Sequence, residues 1–318
     1  MFVAIDGGGT KSRVLITNED GVVLSYFEGP GLNINVLGNK SFEENIKQVI
    51  WRISKDFDIE DLLFCFGLAG ASKNEEKISG ILKRIGVKKF KVLTDIEATF
   101  LALGGGDDCI IVSSGTGSFA YGQRENLKYR TGGWGYLFDD EGSGYWVGRK
   151  ALKYAFMSID GRIGKTILVK RLEELFQVDS LEKAIPLIYS EYKLPRKTAE
   201  LALIVKKSAE EGDNISLLIL KEAAQELFKL VDTVECNLKL TKEDSFHVYG
   251  TGGFLSNVKC VEDILREKIL KKYPCFIFEI RNIPSIIGSL LMCYKVKFNR
   301  IDKDFLKKVI QGYKQMKK

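Results

Sequence analysis

The chain opens on MFVAIDGGGTKSRVLI, and this stretch constrains the fold more than any other. The apolar run Phe2 to Ile5 reads as a buried strand that meets Asp6, turns through Gly7, Gly8 and Gly9 to Thr10, and leaves as a second strand over Arg13 to Ile16. Glycines let such a turn reach positive φ and let ligand oxygens approach backbone N–H groups, with the Thr10 hydroxyl as a further donor. An acid among those donors makes chemical sense where a divalent cation bridges it to a polyphosphate, because the carboxylate alone would repel phosphate. Taken by itself, the stretch fits a bare glycine turn equally well.

The pattern then restarts. Cys109 to Val112 is apolar, Ser114-Gly-Thr-Gly-Ser118 turns, and Phe119 to Tyr121 leaves. Aligning Asp6 with Ser114 gives an offset of 114 − 6 = 108 residues, an internal repeat of a domain core with a phosphate-suited turn in each copy. Two such hairpins facing one another would clamp a polyphosphate. A third glycine turn, Gly250-Thr-Gly-Gly253, comes after the strand Phe246 to Tyr249.

Between these landmarks the first copy reads β-β-β-α-β-α-β-α, a mixed sheet flanked by helices. Val22 to Phe27 is its third strand. Ser41 and Glu44 form a capping box for a helix with Phe42, Ile46, Val49, Ile50, Ile53 and Phe57 on one face. Leu62 to Leu68 is a buried strand, Gly86 closes a helix, and Phe90 to Leu93 ends at Thr94 and Asp95 before a helix from Glu97. In the second copy, Gly132-Gly-Trp-Gly135 and Asp139-Asp-Glu-Gly-Ser-Gly144 are the densest glycine and acid region. Helical spacing recurs over 145–157, 164–176, 181–190, 196–211 and 215–240, and Pro284 starts a helix through Tyr294.

At 318 residues the chain exceeds one comfortable core, so two domains are expected. No apolar run reaches the ~18 residues of a membrane span, and the start lacks the layout of a signal peptide, so a cytoplasmic protein without membrane partners is expected. The six cysteines show no C-x-x-C spacing and read mostly as core thiols. The single histidine, His247, lies in the apolar strand FHVYG, which disfavours histidine-dependent triads and histidine-rich metal sites. The net charge of +6 is dispersed, and its densest run, the tail from Lys303 to Lys318, reads as a solvated helix face opposite Phe305, Leu306, Val309 and Ile310; no nucleic-acid partner is expected.

Together, AIDGGGTKSRVLI, GLNIN, FGLAG, LTDIEA, SSGTGS, GGWGYLFDDEGSGYW, AEEGD and VYGTGGF resemble the sugar kinase/hsp70/actin superfamily. Within it, they are similar to the BadF/BadG/BcrA/BcrD group that contains the N-acetylglucosamine kinases. The resemblance implies an α/β protein of two ribonuclease H-like (actin-like ATPase) domains, each with a mixed five-stranded sheet flanked by helices, and a nucleotide in the interdomain cleft. Its lobes would be 1–105 with 284–318, and 106–283.

The same resemblance implies ATP and Mg2+. Asp6 would hold the metal through water, with Gly8, Gly9 and Thr10 as the first phosphate loop and Gly115, Thr116 and Gly117 as the second. Gly252 and Gly253 would form the adenosine loop, with Ala209 beside adenine. Asp95 stands at the catalytic base, and Asn35, Gly133, Trp134, Gly135 and Asp140 at the sugar. Some relatives carry Glu where this chain has Asp6, and Asp139 duplicates the acid beside Asp140.

Phosphoryl transfer needs positioning, neutralisation of γ-phosphate charge and a carboxylate to take the acceptor proton, which suits Asp95 at a strand end. Asp95 also fits a helix N-cap. The expected activity is phosphorylation of the 6-hydroxyl of N-acetylglucosamine or a related sugar such as glucosamine, N-acetylmannosamine or N-acetylmuramic acid. Alternatives are an ATPase activator of a 2-hydroxyacyl-CoA dehydratase, which would need paired cysteines, and a non-catalytic sugar sensor. Apolar residues in the tail and the family's habit suggest a homodimer.

Overall fold

The computed structural model describes residues 1–317. Lys318, the last lysine of the basic tail, lies outside the described residues. Met1–Asp107, together with the chain from Ile283 onward, forms one compact unit, and Asp108–Asn282 forms another.

In the first unit, strands β1 (Phe2–Gly7), β2 (Lys11–Thr17) and β3 (Val23–Pro30) are an antiparallel meander. Helix α1 (Ile34–Ser54) leads to β4 (Leu63–Leu68), α2 (Glu75–Arg84) to β5 (Phe90–Thr94), and α3 (Asp95–Gly104) comes next. Both β4 and β5 run parallel to β1, giving the order β3-β2-β1-β4-β5. Helices cover both faces, so β1 must be apolar on both. Val3 and Ile5 pack among Phe42, Ile46 and Phe64 beside α1 and α2. Phe2 and Ala4 point the other way, into a layer containing Ala102, Ile287 and Leu290.

The second unit begins with the meander β6 (Cys109–Ser114), β7 (Ser118–Arg124) and β8 (Leu127–Gly132). Six helices come after it: α4 (Gly144–Ile159), α5 (Ile167–Phe176), α6 (Ile185–Ser190), α7 (Pro195–Glu200), α8 (Ala202–Glu210) and the long α9 (Asn214–Asn237). Then come β9 (His247–Thr251), α10 (Gly253–Asn257), α11 (Lys259–Lys272) and β10 (Ile277–Ile280). The order β10-β9-β6-β7-β8 repeats that of the first sheet, with β9 parallel to β6. The strands align with an offset of 109 − 2 = 107, one less than the motif offset: β1 and β6 are both six residues long and each is separated from the next strand by three residues, so the counterpart of Ser114 is Gly7 rather than Asp6.

Helices α12 (Ser285–Phe298) and α13 (Lys303–Met316) return to the first unit. Gly288 of α12 lies so close to α3 that a Cβ there would stand 2.7 Å from the Ala102 amide nitrogen. The apolar stripe of the tail is covered within its own unit: Phe305, Val309 and Tyr313 are buried, and Phe305 meets Phe2 edge-on at 6.0 Å. That stripe is therefore no argument for a dimer.

Three local expectations change. Ser41 is inside α1, whose N-cap is Asn33, with its side chain accepting from the Asn35 N–H; the kink at Gly38 (φ 71°) hid this from the periodicity. Segment 196–211 breaks at Leu201 into α7 and α8. Only Cys65, Cys109 and Cys293 are buried, whereas Cys236 and Cys275 are exposed. His247 stacks on Tyr249 at 5.5 Å.

Candidate active site

In the first unit the ladder fixes which ends are neighbours. Gly7 pairs with Leu68, and Leu68 pairs with Thr94, so the exits of β1, β4 and β5 form one row at the carboxyl edge of the sheet. Two inter-strand spacings make that row about 10 Å wide. The glycine loop, the Ala69–Gly70 turn and Asp95 therefore sit side by side, the usual place for a ligand on an open α/β sheet.

Asp6 is the last side chain before the first loop. Its Oδ1 accepts from the Ser285 hydroxyl at 2.9 Å, and the Arg13 guanidinium stands 3.5 Å from Oδ2. Burial nonetheless lifts its carboxyl above the ordinary range, against the pull of Ser285 and Arg13. The loop is pinned by Gly8 N–H to Lys11 O at 3.0 Å and Leu32 N–H to Gly8 O at 2.9 Å, while Gly9 and Thr10 remain exposed.

Thr94 is the N-cap of α3, in a reciprocal capping box with Glu97. Asp95 is thus not the cap. It occupies the first turn as an exposed carboxylate whose Oδ1 accepts from the Ile96 N–H at 3.1 Å. Asn35 is exposed on the first turn of α1, and its Oδ1 accepts from Asn74 Nδ2 at 2.9 Å. The same Asn74 amide donates to Gly70 O. Gly70 has φ 83°, and a Cβ there would stand 2.7 Å from Asn35 Nδ2. Asn33, Asn35, Gly70 and Asn74 form one polar cluster; Asn74 and Ser285 carried no signal in the sequence.

In the second unit, Gly144 N–H donates to Gly115 O at 2.8 Å and Tyr145 N–H to Thr116 O at 3.3 Å, so the loop 115–117 lies over the start of α4. The third glycine turn closes on it. Ser113 pairs with Thr251, and Gly252 (φ 98°) packs so tightly on Ser114 that a Cβ would stand 2.8 Å from its amide nitrogen. Asp140, only 8% exposed, backs the loop: its Oδ1 accepts from Ser118 N–H at 3.1 Å, and a Cβ on Gly117 would meet both its oxygens at 2.9 Å. Burial raises its pKa, the Asp139 and Glu141 carboxylates add to this, and the Ser118 N–H opposes it.

Asp139 instead accepts from the Trp134 N–H at 2.8 Å. Trp134 is 63% exposed and lies under the Arg130 guanidinium, which also donates to the Gly133 carbonyl. Gly133 and Gly135 both hold positive φ, at 74° and 112°.

A pocket of about 370 Å3 is lined by Gly115, Thr116, Gly144 and Gly253, and by Arg196, Ala199, Glu200 and Leu203 of α7 and α8. Asn257 and Val258 also line it. Ala209 lines an adjoining pocket of about 470 Å3 with Lys206 and Cys260, and the two pockets share Val258. Arg196, Glu200, Leu203 and Asn257 were missed from the sequence. The signal available was the i, i+3, i+4, i+7 stripe Arg196, Ala199, Glu200, Leu203.

Two sheets of the same order, each with a glycine hairpin between its first two strands, are the actin-like ATPase fold of the sugar kinases. The chain belongs to the BadF/BadG/BcrA/BcrD ATPase family, whose model matches residues 3–292. It is 36% identical over 287 residues to an N-acetylmuramic acid/N-acetylglucosamine kinase of Clostridium acetobutylicum, covering 86% of this chain and 91% of that one. Identity is 30% over 294 residues to an N-acetyl-D-glucosamine kinase of Dictyostelium discoideum, with the same coverage of 86% and 91%. Among solved structures, a candidate N-acetylglucosamine kinase from Chromobacterium violaceum superposes with a TM-score of 0.74 at 22% identity, covering 92% of this chain and 98% of that one. No helix of the described residues is long and apolar enough to cross a membrane.

Proposed function

We propose that the chain is an ATP-dependent kinase that transfers the γ-phosphoryl group of ATP to the 6-hydroxyl of N-acetylglucosamine or a related amino sugar, N-acetylmuramic acid included. The family supports the use of ATP, and the acceptor is drawn from the activities of the curated relatives. The observation that carries the reading is the row Gly7, Leu68, Thr94, which sets a glycine loop beside an exposed carboxylate at one sheet edge.

In this reading Asp95 accepts the 6-hydroxyl proton as the sugar oxygen bonds to the γ-phosphorus and the bond to the β-phosphate oxygen breaks, releasing ADP. The Asp95 proton then passes to water. Asn35, held by Asn74, offers an amide to sugar hydroxyls, and exposed Trp134 with Gly133 and Gly135 offers a surface for the ring or its acetyl methyl. By the family resemblance Asp140 would stand at the sugar as well; in the second unit it is buried, with its Oδ1 accepting from the Ser118 N–H.

Gly8, Gly9 and Thr10, and separately Gly115, Thr116 and Gly117, supply donors to phosphate, and Gly252 and Gly253 border the adenosine. Asp6 suits Mg2+: it is an oxygen donor beside a phosphate loop, and burial leaves its charge short of compensation even with Arg13 nearby. The metal would neutralise charge on the transferring phosphoryl group.

The test is coupled ADP release over a panel of hexoses and amino sugars. N-acetylated sugars are expected to give the highest kcat/KM. ADP release that no sugar stimulates would sink the reading.

A further inference from the structure

Arg196 is a cation with no role so far, and its position is informative. It lies on α7 in the wall of the pocket that holds Gly115, Thr116 and Gly253. Three residues on, Ala199 packs on the start of α4: a Cβ on Gly144 would stand 3.4 Å from the Ala199 Cβ and 3.0 Å from Gly115 O. Arg196 and Ala199 share a helix face, so Arg196 stands one turn from the place where α7 meets the second glycine loop. The side chain is exposed, and among the described residues it has no ion-pair partner. Glu200, on the same face, pairs with Lys197 at 4.0 Å.

The order along the wall gives the direction. Arg196 comes first, then Ala199 at the glycine loop, then Leu203, and finally Lys206 and Ala209 in the adjoining pocket. Ala199, Ala202 and Leu203 line this wall together with Glu200, and the exposed Arg196 guanidinium, without an ion-pair partner among the described residues, stands at its end near the second glycine loop.

We propose that Arg196 binds the terminal phosphates of the nucleotide, and that α7 and α8 read it from phosphate to base. The inference rests on the kinase reading. A guanidinium presents a fork of N–H donors that suits phosphate oxygens, and charge-assisted bonds of this kind are stronger than neutral ones.

The test is titration of the full chain with ATP, ADP, AMP and adenosine, for wild type, Arg196→Ala and Arg196→Lys. Arg196→Ala is expected to weaken ATP about 10- to 100-fold, the size of one lost hydrogen bond to a charged group, and to leave adenosine unchanged. Arg196→Lys is expected to recover part of the loss, since it keeps the charge and loses the fork. In turnover, the KM for ATP should rise with the KM for sugar unchanged. Equal losses for ATP and adenosine would assign Arg196 to the base or to packing and overturn the proposal, as would unchanged ATP affinity. A wild-type protein that binds no adenine nucleotide would overturn the kinase reading as well, so the two failures are separable. A circular-dichroism melt of each variant identifies any that has not folded, and Arg196→Lys then carries the comparison.

Discussion

The two units have sheets of the same strand order and differ in the connection that leaves the third strand. In the first, residues 31–62 hold one helix, a short 3-10 turn and little else. In the second, residues 133–246 hold the Trp134 loop and six helices, α4 to α9. The smaller connection leaves the sheet edge open, so Asp95, Asn35 and the Asp6 loop stay accessible there. The larger one builds a wall beside its glycine loop and supplies Arg196, Ala199, Glu200 and Leu203 to the pocket. The contrast, exposed polar side chains at an open sheet edge in one unit and a walled pocket beside the glycine loop in the other, stems from this one difference in connection.

The strongest way to break that contrast is Asp95→Asn. If the first edge holds the base, turnover should fall about 1,000-fold, roughly 4 kcal/mol of transition-state stabilisation, with sugar and ATP affinity nearly kept. Stopped ADP release with retained calorimetric binding is the expected pair of results. Wild-type turnover would move the chemistry elsewhere.

The loops themselves come next. Gly252 has φ 98° and no room for a Cβ against the Ser114 backbone, so Gly252→Ala should destabilise by about 3 kcal/mol through strain and overlap together. Urea midpoints would show it. A Cβ on Gly9 meets nothing within 4 Å, so Gly9→Ala should leave stability within about 0.5 kcal/mol while weakening ATP. If Gly9→Ala lost stability as Gly252→Ala does, the first loop would be structural rather than a phosphate cradle.

Each glycine loop also has a carboxylate whose folded-state pKa is raised by desolvation, half-buried Asp6 in one unit and buried Asp140 in the other. Folding holds their protons more tightly, so their ionisation destabilises the fold as pH rises from the ordinary value of 3.8 through the raised folded value. Below 3.8 both states are protonated and the penalty vanishes. Asp6→Asn should therefore not lower the melting temperature at neutral pH and should flatten its decline above 3.8, yet lose turnover and its response to Mg2+. A lower melting temperature in Asp6→Asn at neutral pH would mean that the ion pair with Arg13 outweighs the cost of burial.

Much of this was legible in the residues. Strand β1 is a doubly covered apolar run and so announces itself, and glycine turns mark the points where strands end. The repeat was visible because both sheets keep the hairpin, although its offset came out one residue long, since a motif aligned on loop residues need not keep the register of the ladders. The contribution of α7 and α8 to the pocket was invisible for the opposite reason. The second connection holds six helices where the first holds one, so the repeat says nothing about most of them, and Arg196 looks like any solvated arginine until α7 is placed against Gly144. Asn74 and Ser285 act through side-chain hydrogen bonds across long stretches of chain, which no local pattern records.

The smallest effect tests where the two connections begin. Each starts with a capped helix: Asn33 accepts from the Asn35 N–H at 3.0 Å at the head of α1, and Ser143 from the Trp146 N–H at 3.2 Å at the head of α4. Removing either cap leaves a helix-terminal donor without its acceptor, so Asn33→Ala and Ser143→Ala should each cost about 1 kcal/mol. Ser41, in spite of its capping-box spacing, is exposed within α1, and Ser41→Ala should change stability by less than about 0.5 kcal/mol. Urea unfolding resolves the three. A full loss of about 1 kcal/mol in Ser41→Ala, with none in Asn33→Ala, would put the start of α1 after Gly38 and detach Asn35 from the helix that now presents it.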